Sequence, residues 1–228
     1  MATTYRTCPA SGLQFEAHAE KLMKWNAVAA VIYLLIGGIT AIGVIMTRWP
    51  AFKLLPPDQF YMILTAHGID MLLCWIIFFE MAVLYFASST LLRCRLAAPK
   101  WGWVQYWLML IGSIMTNVAV LQGESSVMFT SYVPMQAQPH FYLGLSLFAV
   151  GALIACFVFM GTLMVAKKDK TYTGSIPMVT FGALTAAIIA VFTILTGAGI
   201  LLPTLAWSMG LIKEIDAQLY RMVWWGLG

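Results

Sequence analysis

A stretch of 23 residues between Lys24 and Arg48 contains no charged side chain. An α-helix rises about 1.5 Å per residue, so a bilayer core of about 30 Å needs about 20 apolar residues in one helix. The stretch is therefore long enough to cross a membrane. Four further apolar stretches follow, and together they predict five transmembrane helices at about residues 25–47, 60–92, 103–121, 141–166 and 176–202.

The composition supports this interpretation. Of the 228 residues, 61% are apolar or aromatic and 10% are charged, whereas a soluble domain is about half apolar and about a quarter charged. The apolar stretches lack the alternating pattern of a membrane β-barrel. The four cysteines show no C-x-x-C spacing, which argues against a zinc site or a disulfide framework. We therefore expect an all-α integral membrane bundle.

The positions of the basic residues predict an orientation. Nine of the thirteen Lys and Arg residues lie on one side of the predicted spans and four on the other. Because cytoplasmic loops carry the excess of Lys and Arg, we expect residues 1–24 to form a cytoplasmic N-terminal arm. The connection 122–140 would then lie outside, and residues 203–228 would be an outer lead-in to a sixth helix.

His67 is the strongest candidate for a functional residue. It lies about 10 Å inside the second predicted span, where an ionisable side chain is costly and points to function. A neutral imidazole binds a metal through one ring nitrogen while a hydrogen bond orients the other. Gly68 would let a flat macrocycle approach the backbone. The alternative is a structural histidine bonded to a neighbouring helix.

Other polar residues are less informative. At 100° per residue, Met71 and Cys74 fall within about 40° of His67 on the helix, whereas Glu80 lies about 140° away. The sequence assigns no role to Asp70, Glu80 or Glu124. His18 is expected to be solvated, and His140 is expected to cap the fourth helix or make an interface contact.

Three segments, in the correct order, resemble the catalytic subunit of the heme-copper oxidases, and more specifically its B-type branch, the relatives of the ba-type cytochrome c oxidases. The first is Leu64-Thr65-Ala66-His67-Gly68, which leads into a long apolar helix. The second is the loop 123–144, with Tyr132-Val133-Pro134 in place of a Tyr-Pro-Pro element and Phe-Tyr-Leu-Gly at its end. The third is the segment 201–228, with its Trp-Trp pair.

The resemblance implies that residues 25–228 are a heme-binding bundle, the first five helices of a subunit of about twelve. His67 would be one axial ligand of a low-spin heme b, and Gly68 and Tyr132 would belong to the same site, under the loop 122–140. The second ligand, a high-spin heme and a copper would come from the C-terminal half of the subunit, either in the same polypeptide or in a separate chain. We expect an incomplete chain, and residues 1–228 alone would not be catalytically competent.

The function implied is that of the N-terminal part of a respiratory terminal oxidase, which reduces oxygen with electrons from cytochrome c or quinol and translocates protons. Its partners would be a subunit II-type electron donor and the lipid of the inner (plasma) membrane, and not nucleic acid. A nitric oxide reductase of the same superfamily remains open, because the distinguishing residues surround helix six. A non-enzymatic assembly subunit or a carrier is the further alternative. A two-heme cytochrome b would need four membrane histidines, and the chain has three histidines in all.

Overall fold

The computed structural model describes residues 4–226. Within this range, five helices are long and apolar enough to cross a membrane: α1 (Ala17–Arg48), α2 (Pro57–Thr90), α3 (Pro99–Leu121), α4 (Pro139–Lys168) and α5 (Met178–Ser208). A shorter helix, α6 (Ala217–Gly226), follows α5. The prediction of an all-α membrane bundle with five spans is confirmed. Residues 1–3 of the predicted arm and 227–228 of the predicted lead-in lie outside the described range.

The polar segment before α1 is folded. Strands β1 (Tyr5–Thr7) and β2 (Gln14–Glu16) pair in an antiparallel hairpin that leads directly into the helix. The Glu16 carboxylate caps α1 by accepting a hydrogen bond of 2.7 Å from the backbone N–H of Ala19. α1 therefore begins eight residues before Trp25, the first residue of the uncharged stretch.

Helices α3 and α4 pack closely through glycines. A Cβ atom on Gly144 would lie 2.5 Å from Thr116 Oγ1 and 2.7 Å from the carbonyl oxygen of Gly112, and one on Gly151 would lie 2.6 Å from Met109. Small residues of this kind let helix backbones approach each other in a membrane, where association depends on close packing. The backbones of the two helices are therefore in close contact.

A buried polar cluster joins α1, α2 and α3. The side-chain amide of Asn26 donates to the carbonyl of Leu22 in its own helix, and its oxygen accepts from Gln105 at 3.1 Å. The Tyr85 hydroxyl donates to the Gln105 oxygen at 2.8 Å. Asn26, Gln105 and Tyr85 are fully buried, so these hydrogen bonds replace those that water would supply.

Two turns of α2 are wider than an α-helix. Residues Asp70–Cys74 and Phe86–Thr90 form π-helical turns. Such turns are rare and are often found at functional sites. The first begins three residues after His67, so the helix face predicted at a constant 100° per residue does not continue past it, and Cys74 lies in the core with 2% of its surface exposed.

Candidate heme-ligand site on the second helix

His67 points one ring nitrogen at the neighbouring helix. Its Nδ1 lies 2.9 Å from the backbone carbonyl oxygen of Gly37 on α1. Because a carbonyl only accepts hydrogen bonds, Nδ1 carries the proton and donates it. Nε2 then keeps its lone pair, and it has no hydrogen-bond partner among residues 4–226. The imidazole is half-buried, so one nitrogen is held in place and the other is available to a ligand.

Gly37 permits this contact because it lacks a side chain. A Cβ atom there would lie 2.5 Å from the Sδ and 2.7 Å from the Cγ of Met71. The next residue is different, since a Cβ on Gly38 would meet nothing within 4 Å. The sequence shows this glycine pair only as a site of close helix packing. It does not reveal that the first glycine supplies the carbonyl that orients His67.

Gly68 faces the loop between α3 and α4. The Phe129 side chain lies 3.2–3.5 Å from the point that a Gly68 Cβ would occupy. One residue earlier in the loop, the Met128 N–H donates to the Thr65 hydroxyl at 2.9 Å. The loop therefore packs onto α2 on both sides of His67, and Phe129 occupies the space beside Gly68 that the sequence suggested for a flat macrocycle.

Tyr132 connects the same loop to α6. Its hydroxyl accepts a hydrogen bond from the Trp225 indole, and the Arg221 guanidinium lies 5.5 Å from its ring centroid. Beside it, the Ser131 hydroxyl is 2.9 Å from the Tyr220 hydroxyl. The segment 128–132 thus contacts α2 at one end and α6 at the other. Of the residues that make these contacts, only Gly68 and Tyr132 were identified as site residues from the sequence.

Tyr220 is the buried part of this connection. Its side chain is 2% exposed, and its hydroxyl donates to the Thr130 carbonyl at 3.1 Å. Burial raises the pKa of Tyr220 to about 12, so the hydroxyl keeps the proton that it donates. The ring stacks on Trp224, with centroids 6.1 Å apart.

The carboxyl groups of Asp70 and Glu80, in the interior of α2, lie in different surroundings. Asp70 is fully buried, and one of its oxygens accepts a hydrogen bond of 2.9 Å from the Asn117 side chain. Its other oxygen has no partner in the described part of the chain. Glu80 borders an apolar cavity of about 540 Å³ between α2, α4 and α5, and His67 is not part of the wall of that cavity.

The two other histidines, His18 and His140, do not have the half-buried position and free Nε2 that make His67 a candidate metal ligand. His18 is exposed, and the Nε2 of His140 lies 3.0 Å from the Gln122 side-chain oxygen. Glu124 hydrogen-bonds to the Gln138 side chain. Among residues 4–226, no three His, Cys, Asp or Glu side chains are grouped so that they could hold a metal ion. The described chain therefore offers single ligands and no complete metal site.

Five apolar helices and an oriented imidazole define a multi-pass membrane protein with one candidate metal ligand. Residues 21–228 match the family model described as Cytochrome C and Quinol oxidase polypeptide I. The chain belongs to this family, subunit I of the heme-copper oxidases.

Individual relatives agree with this assignment. Cytochrome c oxidase subunit 1 of Thermus thermophilus is 24% identical over 229 residues, which cover 94% of this chain and 39% of the relative. Quinol oxidase subunit 1 of Bacillus subtilis is 25% identical over 190 residues, which cover 76% of this chain and 28% of the relative. The chain thus spans about two fifths or less of the length of these relatives.

A solved structure shows the same fold. A cryo-EM structure of a heme-copper terminal oxidase dimer superimposes with a TM-score of 0.81 at 24% identity. The match covers 93% of this chain and 37% of the other. The five-helix arrangement is therefore that of one part of a larger oxidase subunit.

Proposed function

We propose that this chain is the N-terminal part of the catalytic subunit of a B-type respiratory terminal oxidase, and that His67 is one axial ligand of its low-spin heme b. The proposal depends on one observation above all. The hydrogen bond from Nδ1 to the Gly37 carbonyl leaves the Nε2 lone pair free in a half-buried site.

This arrangement fits a heme. A histidine that binds a metal almost always donates its other ring N–H to a carboxylate, a carbonyl or water, which fixes the ring and makes the ligating nitrogen more basic. The Gly37 carbonyl does this for His67. When bound, a heme supplies one-electron transfer at a potential set by its ligands, its burial and the neighbouring hydrogen bonds.

The other residues of the site would shape its surroundings. Phe129 covers the backbone at Gly68, and the Met128 N–H holds the loop to Thr65. These contacts cover the helix face next to His67. Tyr132 would close the site towards α6, where its hydroxyl and ring are engaged by Trp225 and Arg221.

We further propose that the second axial ligand, the high-spin heme and the copper are held by the C-terminal half of the subunit. The relatives support this division, because the matched region covers 39% of the Thermus thermophilus subunit. A subunit II-type electron donor would complete the complex in the plasma membrane, with the N-terminus in the cytoplasm. The named relatives are oxidases of cytochrome c and quinol, which favours oxygen over nitric oxide as the substrate.

Replacement of His67 in the full-length subunit tests the proposal. His67→Ala should abolish the low-spin heme band in the reduced-minus-oxidised spectrum and block electron entry. His18→Ala and His140→Ala are matched controls, because one ring is exposed and the other is bonded to Gln122, and both should retain the band. A complete low-spin spectrum in His67→Ala, or in residues 1–228 alone, would contradict the assignment.

A further inference from the structure

An aromatic cluster lies where α1 crosses α3 at the basic end of the bundle. Gly102 allows the crossing, because a Cβ there would lie 2.5 Å from the Leu22 side chain. Beside it, the rings of Trp25, Trp103 and Tyr106 contact one another edge-to-face, with centroids 5.8–6.5 Å apart. The cluster reaches the surface, since Trp25 is 50% exposed.

Basic side chains stand next to this cluster. Lys21 precedes Trp25 by four residues on α1, and Lys100 precedes Trp103 by three on α3, so each lysine lies about one helical turn nearer the end of the bundle. Both lysines are exposed. Neither forms an ion pair with any residue in the described range, and neither indole N–H in the cluster has an acceptor there.

The acidic residues nearby are already engaged. Glu20 binds Lys24 and Arg6, each at 2.6 Å. Glu16 caps α1 and is 3% exposed. The surface formed by Lys21, Trp25, Lys100 and Trp103 therefore offers hydrogen-bond donors and positive charge without a free carboxylate.

We propose that this surface binds an anionic phospholipid of the surrounding bilayer. The phosphodiester would lie between Lys21 and Lys100, and the ester oxygens would accept hydrogen bonds from the two indoles one turn deeper. The acyl chains would continue along the exposed apolar side chains of α1 and α3, among them Val28, Ile32 and Trp107.

The chemistry selects an anionic headgroup. Lys and Arg next to a membrane are attracted to anionic lipids, and Trp side chains prefer the interface at this depth. A zwitterionic lipid would place its own ammonium group beside two lysines, with no free carboxylate to balance it. The proposal does not depend on the role of His67.

Lipid affinity of the full-length complex provides the test. The purified complex is titrated with phosphatidylglycerol in phosphatidylcholine nanodiscs, and the retained lipid is counted by native mass spectrometry. Because each cation near a membrane surface contributes about a fivefold change in binding, Lys21→Gln combined with Lys100→Gln should weaken phosphatidylglycerol binding roughly twenty-five-fold. Trp25→Phe, which keeps an aromatic side chain and removes the indole N–H donor, should weaken it several-fold.

Two exposed lysines at the opposite end, Lys53 and Lys213, provide the matched control. Lys53→Gln combined with Lys213→Gln should leave binding unchanged. Equal losses in the two double variants, or phosphatidylcholine binding as tight as that of phosphatidylglycerol, would overturn the proposal. A second measurement uses the intact surface: a benzoylphenylalanine in place of the exposed Trp101 should crosslink to lipid, and a crosslink to another polypeptide would refute the assignment.

Discussion

Gly37→Ala tests whether the hydrogen-bond partner of His67 affects binding of the proposed heme. The new Cβ would lie 2.5 Å from the Met71 Sδ and 3.4 Å from the Asp70 Cβ. Ordinary contact between such atoms is about 3.5–4.0 Å, so Met71 must turn away or α1 must move from α2. Movement of α1 would lengthen the 2.9 Å hydrogen bond between Gly37 and His67.

The expected cost follows from these distances. Overpacking a buried contact costs about 1–3 kcal/mol, and the flexible Met71 side chain places this case near the lower value. Weakening the hydrogen bond adds about 0.5–1.5 kcal/mol, while alanine recovers up to about 1 kcal/mol of helix propensity. Together these terms lower the free energy of unfolding by about 0.5–1.5 kcal/mol. Heme affinity depends on the hydrogen bond alone, and disturbing the second partner of a ligating histidine lowers metal affinity by about tenfold or more.

The assay is loss of the low-spin heme band from the full-length protein during thermal unfolding, together with a redox titration of the same band. Gly38→Ala is the matched control, because its Cβ would meet nothing within 4 Å. Met71→Ala combined with Gly37→Ala should restore the band by making room for the new methyl group. If Gly37→Ala and Gly38→Ala behave alike, the orienting role of the Gly37 carbonyl is refuted.

Three further predictions concern other parts of the chain. Gly144→Ala should lower the thermal midpoint of the complex by the equivalent of about 3 kcal/mol, because its Cβ would collide with the backbone of α3. Gly182→Ala is the control and should leave the midpoint unchanged, since its Cβ would meet nothing within 4 Å. Equal midpoints in the two variants would contradict the packing argument. Cys8 should react with a membrane-impermeant maleimide at neutral pH roughly a hundredfold faster than Cys94, because the Ser11 hydroxyl lowers the pKa of Cys8 whereas burial raises that of Cys94 to about 11. Labelling of Cys8 from the outer side of the membrane in sealed vesicles would disprove the proposed cytoplasmic N-terminus. Tyr220→Phe leaves the Thr130 carbonyl and the Ser131 hydroxyl without their partner, at a cost of about 1–3 kcal/mol. The variant should therefore speed hydrogen exchange in residues 122–138. Unchanged exchange would show that this hydroxyl does not hold the loop.

The sequence predicts the helices because membrane spans have a simple physical requirement. Each span needs about 20 apolar residues, and charged residues mark the ends. The same signal cannot locate the true start of α1, since the helix continues through polar residues to Ala17 with Glu16 as its cap. Nor does it reveal the π-helical turn at Asp70–Cys74, because the register of a helix depends on the side chains packed around it.

The candidate site was predictable only in part. His67 stands out because an ionisable residue inside a membrane is costly. Its partner is a backbone carbonyl thirty residues away in another helix, and every residue except proline carries the same donor and acceptor groups in its backbone. Phe129 likewise gave no signal, since its approach to Gly68 depends on how the whole loop packs. Contacts of this kind follow from the fold and not from residue type.

The buried cluster of Asn26, Tyr85 and Gln105 has a consequence for biosynthesis. α3, which carries Gln105, is the least apolar of the five spans, so by itself it enters lipid with the smallest gain. α1 and α2 are synthesised first, so Asn26 and Tyr85, the two partners of the Gln105 carboxamide outside its own helix, are already in the membrane when α3 emerges. The side-chain N–H of Asn26 needs no later helix as a partner, because it donates to the Leu22 carbonyl within α1. The span that most needs hydrogen bonds is thus synthesised after the helices that supply them.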